Sequence, residues 1–126
     1  EVAYTSADLN WNNKQSRSSI EMNDPSSRPA IADLNANIAA YDVVFVGFPI
    51  WWYIAPTIIN TFLESYDFSG KTIVPFATSG GSRFGETMAS LKPAVSATAT
   101  WKEGKLLNSK QSREALMDWV ESLGLL

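Results

Sequence analysis

Apolar positions fall along the chain in bursts of two periods. Residues 43–48 (VVFVGF) form a continuous β-branched and aromatic run with no polar alternation, the pattern of a strand buried on both faces of a parallel sheet. Residues 72–77 (TIVPFA) make a second such run, in which Pro75 points to a bulge or a sheet edge. Between them the spacing becomes helical. Pro56 opens a helix whose apolar face is Ile59, Phe62, Leu63 and Tyr66, and residues 67–70 turn back toward the second strand. Ile31, Leu34 and Ile38 show a similar spacing after Pro29. They predict a short amphipathic helix capped near Ser26 or Ser27 and ending near Tyr41-Asp42. A glycine-rich loop at 79–85 (SGGSRFG) leads into a short helix that carries Met88 and Leu91 and stops at Pro93. Residues 101–107 read as a weaker, more exposed strand with a turn or bulge at Glu103-Gly104. The last helix presents Ala115, Leu116, Trp119, Val120 and Leu123 on one face, with Asn108 or Ser109 as its cap and Gly124 as its stop.

The predicted order is therefore α-β-α-β-α-β-α with short connections. Such alternation predicts one α/β domain over residues 1–126, a parallel sheet with helices on both faces and right-handed crossovers. Ligands of open α/β sheets bind beyond the carboxyl ends of the strands, so the loops after the two strong strands are the places to search.

Composition removes whole classes of chemistry. With no Cys and no His, the chain has no disulfide, thiolate nucleophile, Ser-His-Asp triad or ordinary transition-metal ligand set. No metal site and no catalytic side chain is expected, and any redox chemistry must be carried by a bound organic cofactor. The scattered Asp8, Asp24, Asp42, Asp67 and Glu86 offer no acid–base pair. Ten Lys and Arg against thirteen Asp and Glu, without a basic tract, argue against nucleic acid. No apolar run is long enough for a membrane span. Residues 5–29 are polar and turn-rich, with six Ser and four Asn around a lone Trp11. They read either as a floppy terminus or as a loop packed over a site with Trp11 as its anchor.

The loop after the first strand, FPIWWYIAP, places Trp51, Trp52 and Tyr53 in a row at the surface. Large aromatic faces beside a crevice suit a flat conjugated ligand, or else a partner subunit. The loop after the second strand, ATSGGSRFG, allows close approach of a ligand to its backbone and offers N–H groups at the next helix start. Its glycine spacing matches neither a Walker A motif nor GxGxxG. Thr78, Ser79 and Ser82 are candidate partners for a flat polar edge such as a pyrimidine dione, with Arg83 nearby.

At these loops the sequence resembles a known family. The stretch YDVVFVGFPIWWYIAPTIINTFLESYDFSGKTIVPFATSGGSRFG is similar to the middle of a bacterial flavodoxin-type domain, and DLNWNNKQSRSSIEMNDPSSRP and WKEGKLLN extend the likeness over almost the whole chain. The resemblance implies a flavodoxin-like three-layer sandwich, five mostly parallel strands in the order 2-1-3-4-5, and FMN as cofactor. Residues 43–48, 72–77 and 101–107 would be strands three, four and five. Pro49, Ile50, Trp51, Trp52 and Tyr53 would lie against one side of the isoalloxazine ring. Thr78, Ser79, Gly80, Gly81, Ser82 and Gly85 would meet its polar edge and other flank.

Two departures from the family pattern shape the expectations. The chain starts at Glu1 without an initiator Met, so an N-terminal truncation is expected to have removed strand one, the phosphate-binding loop and helix one. The vacant place in the sheet would suit a strand from a second copy, and so a homodimer. In addition, PIWWYIAP has no glycine of the kind many flavodoxins flip toward the reduced flavin, so strong semiquinone stabilisation is not expected. The implied function is FMN-dependent electron transfer, to a redox partner protein or to a small acceptor such as a quinone, in the cytoplasm. Export or lipid anchoring remains open. The rival reading is an α/β scaffold without flavin, whose aromatic loop is a protein–protein interface.

Overall fold

The computed structural model describes residues 3–125. Helix α1 spans Arg17–Asn23 and a 3-10 turn covers Ile38–Ala40. Strand β1 (Val43–Pro49), helix α2 (Thr57–Glu64), strand β2 (Thr72–Thr78) and helix α3 (Thr87–Leu91) follow. The short strands β3 (Thr100–Trp101) and β4 (Lys105–Leu106) and helix α4 (Arg113–Ser122) complete the chain. Strand β2 is central. It pairs in parallel with β1 on one side, in unbroken register from Val43↔Thr72 to Pro49↔Thr78, and with β3 and β4 on the other.

The two faces of the sheet are covered unequally. Val46 and Phe48 of β1 and Ile73 and Ala77 of β2 point the same way and join Leu63 of α2 and Leu91 of α3 in the core. Positions of the opposite parity face α4, where Trp119 meets Phe45 and Phe76 edge-on at 6.0 and 6.4 Å. Burial of β1 on both faces, expected from its unbroken apolar run, is not observed. Phe45, Gly47 and Pro49 remain exposed, because α4 touches their face mainly through Trp119. A Cβ at Gly47 would lie 2.4 Å from the tip of the Phe76 ring, which would have to turn aside to admit it. Among the described residues no strand pairs with β1 on its far side, and no helix is long and apolar enough to cross a membrane.

Pro75 lies at neither an edge nor a bulge of its own strand. Thr72 N–H donates to Asp42 toward β1, whereas Lys71, Ile73 and Ala77 carbonyls accept from Thr100, Lys102 and Leu107 on the opposite side. By this alternation Pro75 faces the β3/β4 side. Its missing N–H coincides with residues 102–104, where that neighbouring strand is interrupted. The break expected at Glu103-Gly104 is thus the feature that accommodates the proline.

Helix α4 begins later than expected, at Ser112, whose hydroxyl accepts from Ala115 N–H. The helix expected after Pro29 does not form. Residues 30–37 are irregular and only the 3-10 turn at Ile38–Ala40 remains. Asp33 takes the Asn35 N–H on its own side chain at 2.8 Å, and the Ala36 N–H is drawn to the Tyr66 hydroxyl at 3.1 Å. Both contacts remove donors that a helix would need.

Candidate functional site

Strands β1 and β2 are parallel and end in step, so the loops that follow them emerge side by side. Ile50 N–H continues the ladder onto Thr78 O at 2.8 Å. Beyond it the chain makes a two-residue hairpin. Trp51 and Ile54 exchange both backbone hydrogen bonds, at 2.9 and 3.2 Å, with Trp52 and Tyr53 at φ of 46° and 70°. A turn with both central residues in the left-handed region normally takes Asn-Gly, and the aromatic pair is held there at a cost of roughly 1–2 kcal/mol per residue. Trp52 and Tyr53 are nevertheless 43% and 64% exposed, so burial of their rings does not offset the strain.

The glycine-rich loop is built by its serines and by Asn108. Ser79 Oγ accepts from the N–H groups of Gly81 and Ser82 at 3.2 and 3.0 Å. The Asn108 side chain clamps Ser79 on both sides, accepting from its N–H at 2.7 Å and donating to its carbonyl at 2.8 Å. Asn108, expected to cap the last helix, therefore fixes this loop instead. Three of the N–H groups expected to face a ligand are engaged by Asn108 and the Ser79 hydroxyl, and the Gly80 N–H alone of residues 79–82 has no partner among the described residues.

Gly85 joins the two loops. It has a φ of 50°, and a Cβ would stand 2.3 Å from the Tyr53 carbonyl, which accepts the Glu86 N–H at 3.0 Å.

Between the loops lies a cleft of about 540 Å³, lined by Leu9, Trp11, Ser18, Ile50, Trp51, Trp52, Tyr53, Gly80, Gly81 and Ser82. Its size is that of a small-molecule site, and among the described residues its lining carries no charged side chain. Of the residues expected at the site, Ile50, Trp51, Trp52, Tyr53, Gly80, Gly81 and Ser82 converge on the cleft. Pro49, Thr78, Ser79 and Gly85 stand behind it. Pro49 and Thr78 form the last rung of the ladder, Ser79 shapes the loop and Gly85 welds the two loops together. Arg83 is exposed, at a φ of 53°, and outside the lining.

The polar segment ahead of β1 supplies the third wall. Trp11 lines the cleft but is 70% exposed, so it is not the segment's anchor. That role falls to Tyr4, whose ring meets Trp51 edge-on at 5.4 Å. The Tyr4 hydroxyl donates to Glu21 at 2.5 Å, Glu21 pairs with Arg17 at 2.9 Å, and Arg17 lies 3.9 Å over the Tyr4 ring. Burial, and then the Glu21 carboxylate, push the Tyr4 phenol above its ordinary range and keep it a donor. Helix α1 carried no apolar periodicity. The signals that mark it are Ser16, whose Oγ accepts the Ser19 N–H, and the Arg17–Glu21 pair at i, i+4.

The comparisons agree with this architecture. A family model described as Flavodoxin matches residues 1–123. A comparison with curated proteins gives no match. The chain is 54% identical to a protein of Bacteroides eggerthii provisionally described as a flavoprotein, with a TM-score of 0.88 over 99% of this chain and 77% of that one. A second protein so described, from Bacteroides uniformis, is 49% identical, with a TM-score of 0.83 over 94% of this chain and 74% of that one. A flavoprotein of Lactobacillus acidophilus in complex with FMN shares the fold at 17% identity, with a TM-score of 0.51 over 71% and 54% of the two chains. The alternating elements, the parallel sheet and the family match over residues 1–123 agree: this chain belongs to the flavodoxin family.

Proposed function

We propose that this chain binds FMN with the isoalloxazine ring in the cleft between the two loops. In this reading Trp51, Trp52 and Tyr53 flank the ring, and Gly80, Gly81 and Ser82 approach its polar edge. The observation that carries the reading is the hairpin at Trp52-Tyr53. Two bulky rings are held exposed in a strained turn, at the mouth of a cleft whose opposite wall is built from Gly80, Gly81 and Ser82. Strain of this kind persists where a site requires it. The fit is to the ring: among the described residues the lining supplies aromatic faces and the unclaimed Gly80 N–H, and no charged side chain for a phosphate.

FMN, when bound, supplies the redox chemistry, taking up electrons and passing them on. The protein stacks on the ring, orients its edge and excludes water from it. We further propose a small acceptor of quinone type rather than a dedicated shuttle partner. A net charge of −3 makes a poor acidic docking face, and none of the described residues lining the cleft is charged.

The test is a titration with FMN, followed by quenching of flavin fluorescence, of the chain and of Trp52→Ala. Loss of one stacking face and its buried area is expected to weaken binding by about tenfold. Equal affinity in the two proteins would place the flavin elsewhere. Quenching by neither would favour the aromatic loop as a protein interface.

A further inference from the structure

The flavin reading uses two walls of the cleft and leaves the third, formed by Leu9, Trp11 and Ser18, without a role. Resting on that reading, we propose that this wall is the subsite for the electron acceptor, and that it takes a neutral, planar carbonyl compound of quinone type.

Three observations point there. The first is Ser18, which is 2% exposed and lines the cleft, and whose Oγ has no hydrogen-bond partner among the described residues. A buried hydroxyl left unpaired is costly, and a carbonyl oxygen arriving from the cleft would accept its proton. The second is Trp11, a large indole left 70% exposed on the same cleft, with Leu9 exposed beside it. A flat apolar molecule would cover both. The third is charge. Among the described residues none that lines the cleft is charged, which offers no ion pair to a charged acceptor and suits an uncharged one.

The wall is fixed in advance. Ser18 N–H donates to Asp8 O at 3.0 Å, and Ser16 caps the turn beneath it. The Tyr4–Glu21–Arg17 cluster binds α1 to the edge of Trp51. The acceptor wall and an aromatic wall of the cleft are thereby held at a set separation, which reduces the ordering needed on binding.

The experiment uses menadione, a naphthoquinone, as probe. Equilibrium dialysis measures its affinity for the FMN-saturated chain and for Ser18→Ala and Trp11→Ala, while flavin fluorescence reports FMN affinity in parallel. Menadione binding is expected to weaken about three- to tenfold in each variant, the worth of one neutral hydrogen bond or one covering contact. FMN affinity is expected to move by less than about twofold. Trp11 is exposed, so its removal leaves the fold standing whatever becomes of Ser18→Ala. Menadione affinity unchanged in both variants overturns the subsite. So does an equal loss of FMN affinity, because the wall would then hold the flavin itself. A wild-type chain that takes up no FMN overturns the flavin reading, and the subsite with it.

Discussion

Trp52 and Tyr53 occupy a turn whose backbone favours glycine, and their side chains gain little burial in return. Replacing Tyr53 by Gly removes a left-handed penalty of about 1–2 kcal/mol and adds the unfolded-state entropy of glycine, about 0.5–1 kcal/mol. Tyr53→Gly is therefore expected to stabilise the fold by about 0.5–1 kcal/mol, a rise of a few degrees in Tm, while weakening FMN binding. Thermal unfolding by circular dichroism checks the sign. A lower Tm would mean that the Tyr53 ring serves the fold rather than the ligand. Glycine positions nearby differ in kind. At Gly80 a Cβ would meet nothing within 4 Å, whereas at Gly85 both the φ of 50° and the Tyr53 carbonyl oppose any side chain. The glycine that looked like a ligand contact in the sequence is the joint between the loops, because φ and close approach across the fold are invisible in a single chain of letters.

Secondary elements divide by whether their signal is local. Strands β1 and β2 are legible because six or seven consecutive residues carry their own β preference and apolar run. Helix α2 is legible through its one apolar face. The segment before β1 misleads in both directions. Ile31, Leu34 and Ile38 have helical spacing, but the Asp33 side chain and the Tyr66 hydroxyl claim the backbone donors. Helix α1 has no such spacing, yet it forms through a serine cap, an i, i+4 ion pair and burial of Ser18 and Ser19. Side-chain polar contacts decided both outcomes, and of these only the Tyr66 hydroxyl comes from a distant part of the chain. Because the Ser16 cap is the main local support of α1, Ser16→Ala is expected to destabilise the protein by about 0.5–2 kcal/mol. Hydrogen exchange should show protection lost first over residues 16–23, with β2 amides changed least. Uniform loss across the chain would mean that α1 is held by its neighbours and not by its cap.

At the scale of the whole molecule, one parallel register does most of the work. Strands β1 and β2 end together, so an aromatic loop and a glycine-rich loop, thirty residues apart in sequence, become facing walls. That convergence was readable from the α/β alternation, since loops after parallel strands share an edge. The third wall was not, because Leu9, Trp11 and Ser18 reach the cleft through the Tyr4 contact with Trp51, which no local pattern encodes. Among the described residues β1 has no partner on its far side and α4 covers one face sparsely, so the site rests chiefly on the better-packed α2–α3 side. The account's central claim is that this cleft holds a flavin, and equilibrium dialysis of the full chain against FMN tests it most directly. The account predicts saturation at one FMN per chain, with the bound fraction lost when Trp51 and Trp52 are both replaced by Ala. FMN distributing equally across the membrane at every concentration would contradict it.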